Sequence, residues 1–259
     1  MDLGISGRRA IVCASSRGLG RACAEALARA GCHVVVNGRT RETVDAAVAA
    51  IRAGSGAEVT GVVADVSDRA GQQAVLAACP EPDILVTNNS GPPLRHFRTL
   101  TREQMLEGVI ANMVTAIELT QQVIDPMIRR KFGRIVNITS GTVKMPLAGL
   151  DLSSGARAGL TAFLAGIARK VAADNVTINF ILPGAFDTDR LRSTIQTAAG
   201  AQGITAEEAA ARRRATIPAG RFGEPHELGA LCAFLCSAHA GYITGQSLLI
   251  DGGAYPGTF

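Results

Sequence analysis

The stretch that most constrains this chain is residues 9–28, RAIVCASSRGLGRACAEALA. It reads as strand, tight turn and helix. Residues 10–14 form a short apolar run in which Ile11 and Val12 suit a strand buried on both faces. Ser15, Ser16, Arg17, Gly18, Leu19 and Gly20 make a small, flexible turn. From Leu19 onward Cys23, Ala26, Leu27 and Ala30 recur with helical spacing. The first amides of a helix are unpaired, its dipole is positive there, and glycine lets a charged ligand approach the backbone. Such a turn is a seat for a phosphate, and the same pattern also occurs as a purely structural turn.

The remainder of the chain repeats the alternation. Strands are predicted at residues 31–36, 59–64, 83–86, 133–140, 176–182 and 247–250, with helices at 40–52, 68–78, 101 onward, 152–173 and 225–237. Thr101 with Gln104, and Thr205 with Glu208, have the spacing of capping boxes. Alternating strands and helices mean right-handed βαβ units. The predicted fold class is therefore α/β: a single Rossmann-type, doubly wound parallel sheet of about seven strands with helices on both faces. No linker, repeat or low-complexity tract divides the chain, so residues 1–259 are read as one domain. Residues 188–219 are polar and rich in Arg and Ala, and read as a helical lid over the pocket mouth. Met105, Val109, Met113 and Ile117 recur every four residues, as core or subunit interface does.

The second strand ends in Asn37-Gly38-Arg39-Thr40. In dinucleotide folds an acid at this tip binds the adenosine ribose hydroxyls and selects NAD, whereas an arginine accommodates the 2′-phosphate of NADP. Gly38 stands about where the acid would be, Arg39 follows it, and Arg17 is a second cation in reach of the same phosphate. The tip thus points to NADP(H); the bland reading is two ordinary surface arginines.

Composition narrows the rest. Net charge is +4 and no basic block dominates; Arg212-Arg213-Arg214 is read as a solvated helix face, so no nucleic-acid partner is expected. There is no Trp and there are two Tyr, too few for base-stacking platforms. The N-terminus lacks a signal-peptide pattern and no apolar run reaches membrane-spanning length, so the expectation is a cytoplasmic protein without a membrane partner. The six cysteines form no CxxC pair and have no His partners, so buried small hydrophobes are favoured over metal ligands and no metal is expected.

Along essentially its whole length the chain resembles the short-chain dehydrogenase/reductase family, including its 3-oxoacyl-carrier-protein reductases. The family's T-G-x-x-x-G-x-G motif stands here as Cys13-Ala14-Ser15-Ser16-Arg17-Gly18-Leu19-Gly20, with Cys13 for Thr and Ala14 for Gly. Asp65-Val66 resembles the adenine-contacting pair, and Thr87-Asn88-Asn89-Ser90-Gly91 the N-N-A-G segment. Asn112 resembles the mid-helix active-site asparagine. Pro183-Gly184-Ala185-Phe186-Asp187-Thr188 resembles the P-G-x-x-x-T segment around the nicotinamide. By the resemblance the cofactor residues are Ser15 to Gly20, Asn37, Arg39, Asp65, Val66, Asn88, Asn89, Pro183, Gly184, Phe186 and Thr188, and the assembly is a homotetramer.

The catalytic motif departs from the family. The family has a serine at the end of the fifth strand and then Y-x-x-x-K. Ser140 fits the serine, but Ser153 stands at the tyrosine position and Arg157 at the lysine position. A phenol starts near pKa ~10 and can be tuned toward neutrality, whereas serine is a far weaker acid and arginine stays protonated. Losing a positioned general acid costs ~10²–10⁴ in rate. The leading expectation is an NADP(H)-dependent carbonyl reductase or alcohol dehydrogenase acting on a small molecule, with Ser140, Ser153, Arg157 and Asn112 at the carbonyl. Lys144 and His96 are candidate proton sources, each more simply a surface residue. Two alternatives are a nucleotide-binding pseudoenzyme acting as a sensor or partner subunit, and a non-redox enzyme like the halohydrin dehalogenases.

Overall fold

In the computed structural model, which describes residues 1–258, β1 (Arg9–Val12) is the third strand of a seven-stranded sheet. The others are β2 (His33–Gly38), β3 (Val59–Val63), β4 (Ile84–Thr87), β5 (Gly133–Ile138), β6 (Val176–Pro183) and β7 (Ser247–Ile250), in the order β3-β2-β1-β4-β5-β6-β7. Every pairing is parallel, from Ile11 beside Val35 and Leu85 to Ile181 beside Leu248. The strand order reverses at β1, between β2 and β4, and ligands bind outside the carboxyl ends of strands at such a switch point.

Because strand side chains alternate, β1 feeds two cores. Ala10 and Val12 face one, under α1 (Gly18–Arg29), α2 (Arg41–Ser55) and, near the C-terminus, a helix at Pro225–Cys236. Ile11 and Cys13 face the other, with α3 (Arg69–Ala78). α4 (Arg102–Val109) leads into α5 (Thr115–Arg129), and α6 (Asp151–Val171) packs beside α5 on that second face. Residues 188–219 hold α7 (Asp189–Gln202) and α8 (Ala206–Ala215), and Pro225–Cys236 is α9. All six cysteines are buried and reduced; burial pushes the Cys13 thiol up to about 12, so it serves as packing. Among the described residues no helix is long and apolar enough to cross a membrane, and no cluster of His, Cys, Asp or Glu is arranged to hold a metal ion.

Both capping boxes form, with Gln104 N donating to Thr101 Oγ1 at 3.3 Å and Glu208 N to Thr205 Oγ1 at 3.2 Å. The predicted long helix from Thr101 runs without a break to Arg129, but not as a regular α-helix throughout. A π-turn at Ile110–Val114 separates α4 from α5, and Thr115 Oγ1 donates to the Ile110 carbonyl at 2.9 Å. A π-turn widens the helix by one residue and shifts the side chains beyond it.

Candidate active site

A cleft of about 710 Å³ opens along the carboxyl ends of β1, β2, β4, β5 and β6. The glycine-rich turn forms its floor. Ala14 sits at φ 46°, in the left-handed region, where an L side chain is strained. It is held there from both sides: Ala14 N donates to Asn37 Oδ1 at 3.2 Å, and its carbonyl accepts from Asn88 Nδ2 at 3.3 Å. Gly20 is needed for close approach, since a Cβ there would lie 2.4 Å from the Ala14 carbonyl oxygen. Ser15 is fully buried; its hydroxyl donates to the Val12 carbonyl at 2.6 Å and accepts from Asn37 N at 3.0 Å. Neither Ser15 nor Gly20, both expected among the contact residues, lines the cleft; both shape the turn.

Ser16, Arg17, Gly18 and Leu19 do line it, as do Asn37 and Arg39. Asn37 has no free amide: its Nδ2 donates to the Val62 and Ala64 carbonyls at 3.3 and 3.0 Å, so it ties the β2 tip to β3 and to the turn. Gly38 faces Ser16 so closely that a Cβ would lie 2.6 Å from Ser16 Oγ. A carboxylate-bearing residue therefore has no room at the tip. Arg39 is two-thirds exposed and stands 3.9 Å from Asp65, whose other oxygen accepts from Ser67 N at 2.9 Å. Val66, Asn88 and Asn89 continue the wall. Thr188 caps α7, its hydroxyl accepting from Leu191 N at 3.4 Å, beside Pro183, Gly184 and Phe186.

The inner end carries Ser140, Ser153 and Arg157. β5 delivers Ser140, whose Oγ accepts from Thr142 N at 3.2 Å and from Thr142 Oγ1 at 2.9 Å. Its own hydrogen is thereby left to donate. Ser153 and Arg157 lie one turn apart on α6, with Arg157 Nε donating to Ser153 Oγ at 3.3 Å. Arg157 also donates to the Ile138 carbonyl at 2.8 Å and the Asn89 carbonyl at 3.4 Å. Burial, with a smaller contribution from Arg190, brings its pKa down to about 10, so it remains a cation at neutral pH.

Asn112 is not in this cleft. It stands on the π-turn and lines a separate cavity of about 260 Å³ with Pro92, Gln104 and Leu152. Its Nδ2 donates to the Gly108 carbonyl at 3.1 Å, and its buried Oδ1 has no partner. Leu152 packs against Gly108, one turn before Asn112, on the wall of that cavity. Lys144 and His96 are also outside the cleft: Lys144 Nζ lies 5.8 Å from the Tyr255 ring centre, and His96 stacks on Phe97. Sequence reasoning missed Arg190. It lines the cleft from α7 and donates to the Gly91 and Pro92 carbonyls at 3.1 and 3.3 Å, bridging the opening. The available signal was a cation two residues after Thr188.

The glycine turn, the switch-point cleft and the serine–arginine end together describe a nucleotide fold with a reaction site beside it. Residues 13–255 match a family model described as enoyl-(acyl carrier protein) reductase. The chain belongs to the short-chain dehydrogenase/reductase family, a family of oxidoreductases. It is 33% identical over 258 residues to the 3-oxoacyl-[acyl-carrier-protein] reductase FabG of Escherichia coli, covering 98% of this chain and 99% of that protein. It is 31% identical over 259 residues to FabG of Aquifex aeolicus, covering 98% and 100%. Among solved structures, L-sorbose reductase from Gluconobacter frateurii, complexed with NADPH and L-sorbose, superposes with a TM-score of 0.94 at 28% identity over the whole of both chains. YwfH, an NADPH-dependent reductase involved in bacilysin biosynthesis, gives 0.91 at 29% identity over 98% of this chain and 100% of that one. The seven-stranded parallel sheet is thus that of the short-chain dehydrogenase/reductases.

Proposed function

We propose that this protein is an NADP(H)-dependent oxidoreductase that reduces a small-molecule carbonyl, or oxidises the matching secondary alcohol, through an atypical Ser140–Ser153–Arg157 site. The observation that carries the reading is that one cleft joins a nucleotide seat to that donor cluster. The seat fits NADP(H) in its own chemistry. Ser16 crowds out an acid at Gly38, leaving Arg39 and Arg17 as the charges available to a 2′-phosphate. Gly18 and the first amides of α1 suit the diphosphate. Two structural neighbours support this: YwfH is described as an NADPH-dependent reductase, and L-sorbose reductase was solved with NADPH.

When bound, the nicotinamide supplies or accepts the hydride. Ser140 and Ser153 each retain a hydrogen to donate to the carbonyl oxygen, and Arg157 places a fixed positive charge beside them. Donors aimed at an oxygen that becomes negative lower the barrier without donating a full proton. The proton itself comes from water, because no group of neutral pKa joins Ser140, Ser153 and Arg157 at the inner end. Residues 188–219 act as the lid, with Arg190 holding α7 to the segment after β4. Exposed Met105, Leu106, Ile110 and Phe163 support the expected homotetramer. The missing phenol also favours a second reading, a nucleotide-binding pseudoenzyme.

The test is a titration of the protein with NADPH and NADH, monitored by thermal unfolding and nicotinamide fluorescence. NADPH is expected to bind and to raise Tm more than NADH does. Equal or absent protection removes the cofactor assignment and the role given to Arg39. NADPH binding without turnover on any ketone or alcohol of a broad panel favours the pseudoenzyme.

A further inference from the structure

The donors of the inner cleft carry more positive charge than the protein itself neutralises. Arg157 is only 8% exposed, yet its acceptors are Ser153 Oγ and the Ile138 and Asn89 carbonyls, none of them charged. A guanidinium has five N–H groups, so two remain for a ligand. Arg190, reaching from α7, docks on the next carbonyls of the same segment, Gly91 and Pro92. The two guanidiniums therefore both line this cleft and both donate to one short segment, residues 89–92. The carboxylates of the cleft are turned elsewhere: Asp65 stands by Arg39 at 3.9 Å, and Asp189 accepts from Arg192 at 3.4 Å. A buried cation held only by dipoles is costly, and an anion bound between two guanidiniums relieves that cost.

We infer that Arg157 and Arg190 form an anion site at the inner end of the cleft, and that the substrate is a carbonyl compound carrying a carboxylate close to the reacting carbon. The inference rests on the oxidoreductase reading of the cleft. A cofactor diphosphate is the other anion that this cleft would receive, and the experiment separates the two sources.

Malonate and oxamate, with malonamide and oxamide as uncharged controls, are titrated calorimetrically into the full chain, free and saturated with NADP⁺. The acids are expected to bind the NADP⁺-saturated protein and the amides are not. Arg190→Met, at an exposed position that does not threaten the fold, is expected to weaken acid binding about tenfold or more while NADP⁺ affinity changes less than about twofold. Acids that bind only the free protein and are displaced by NADP⁺ identify the diphosphate seat and overturn the inference. Equal binding of acids and amides, or none of either, overturns it as well. Failure of NADP⁺ itself to bind refutes the functional reading instead, and the response of acid binding to Arg190→Met in the free protein then still decides the anion site.

Discussion

Ala14→Gly tests the strain in the nucleotide turn. Ala14 holds φ 46°, and both of its backbone groups are fixed by hydrogen bonds, to Asn37 and from Asn88, so it cannot relax out of the left-handed region. That conformation costs an L-residue ~1–2 kcal/mol, which glycine does not incur. Glycine also loosens the unfolded chain, an opposing effect of ~0.4–1 kcal/mol. The net expectation is a gain of ~0.5–1 kcal/mol, or a Tm higher by ~1–4 °C for a chain of this size.

Asn175→Gly is the comparator. Asn175 has nearly the same φ, 56°, but its Oδ1 accepts from Arg134 at 3.1 Å and its Nδ2 donates to the Lys131 carbonyl at 2.9 Å. Losing those bonds is expected to cost ~1–2 kcal/mol despite the shared backbone angle. Differential scanning calorimetry, with urea midpoints as a check, reads both variants. A fall in stability for Ala14→Gly, or a gain for Asn175→Gly, refutes the reasoning from backbone strain.

Gly38→Asp alone is expected to destabilise the protein by ~1–3 kcal/mol because its Cβ collides with Ser16, and Ser16→Gly in the same chain is expected to recover that loss and to admit NADH. The recovery is expected to be partial, because Val44 Cγ2 also lies 3.0 Å from the added Cβ. Calorimetry and nucleotide titration check it, and Gly38→Asp folding normally without the second change counts against it. The pair Ser153→Tyr and Arg157→Lys is expected to raise ketone turnover, up to ~10²-fold, by restoring a phenol beside an ammonium; steady-state kinetics with NADPH decide, and lower activity means that the serine–arginine pair is tuned to its own chemistry. The pH profile of kcat/KM for reduction is expected to be flat from neutrality to about pH 9. It should then fall as pH rises through the Arg157 pKa of about 10, because the charged form is the one that stabilises the oxygen. A basic limb near pH 7 reveals a proton donor outside this site.

The legible parts of the chain were those decided by near neighbours. Thr101 with Gln104 and Thr205 with Glu208 close within three residues, and both form. The alternation of apolar strands and amphipathic helices is likewise local, and the parallel sheet is its consequence. The π-turn was not legible, because Ile110–Val114 has ordinary helical composition and the widening shows only in bonds such as Thr115 Oγ1 to the Ile110 carbonyl. Asn112, expected at the carbonyl, stands on that π-turn and lines the neighbouring cavity. Ser15, Gly20 and Asn37 were read as contact residues from their place in a motif. Their close approaches and hydrogen bonds, to residues as distant in the chain as Ala64 and Asn88, hold the turn, the β2 tip and β3 together, and of the three only Asn37 also lines the cleft. Arg190 meets Gly91 across 99 residues of chain, a distance at which no local pattern carries information.

The replacement of lysine by arginine changes more than charge. An ammonium on a flexible stem can swing between a ribose and a phenol, whereas the planar guanidinium of Arg157 is fixed by the Ile138 and Asn89 carbonyls and by Ser153. Those bonds join the end of β5 to the segment after β4, so Arg157 is also part of the scaffold that shapes the inner cleft. Arg157→Lys by itself would lose the fixed fork that joins the Ile138 and Asn89 carbonyls, while Ser153→Tyr by itself would set a phenol against a rigid cation already bonded to the hydroxyl it replaces. The two positions form one unit, and only their joint substitution asks whether this cleft can work as a tyrosine–lysine site.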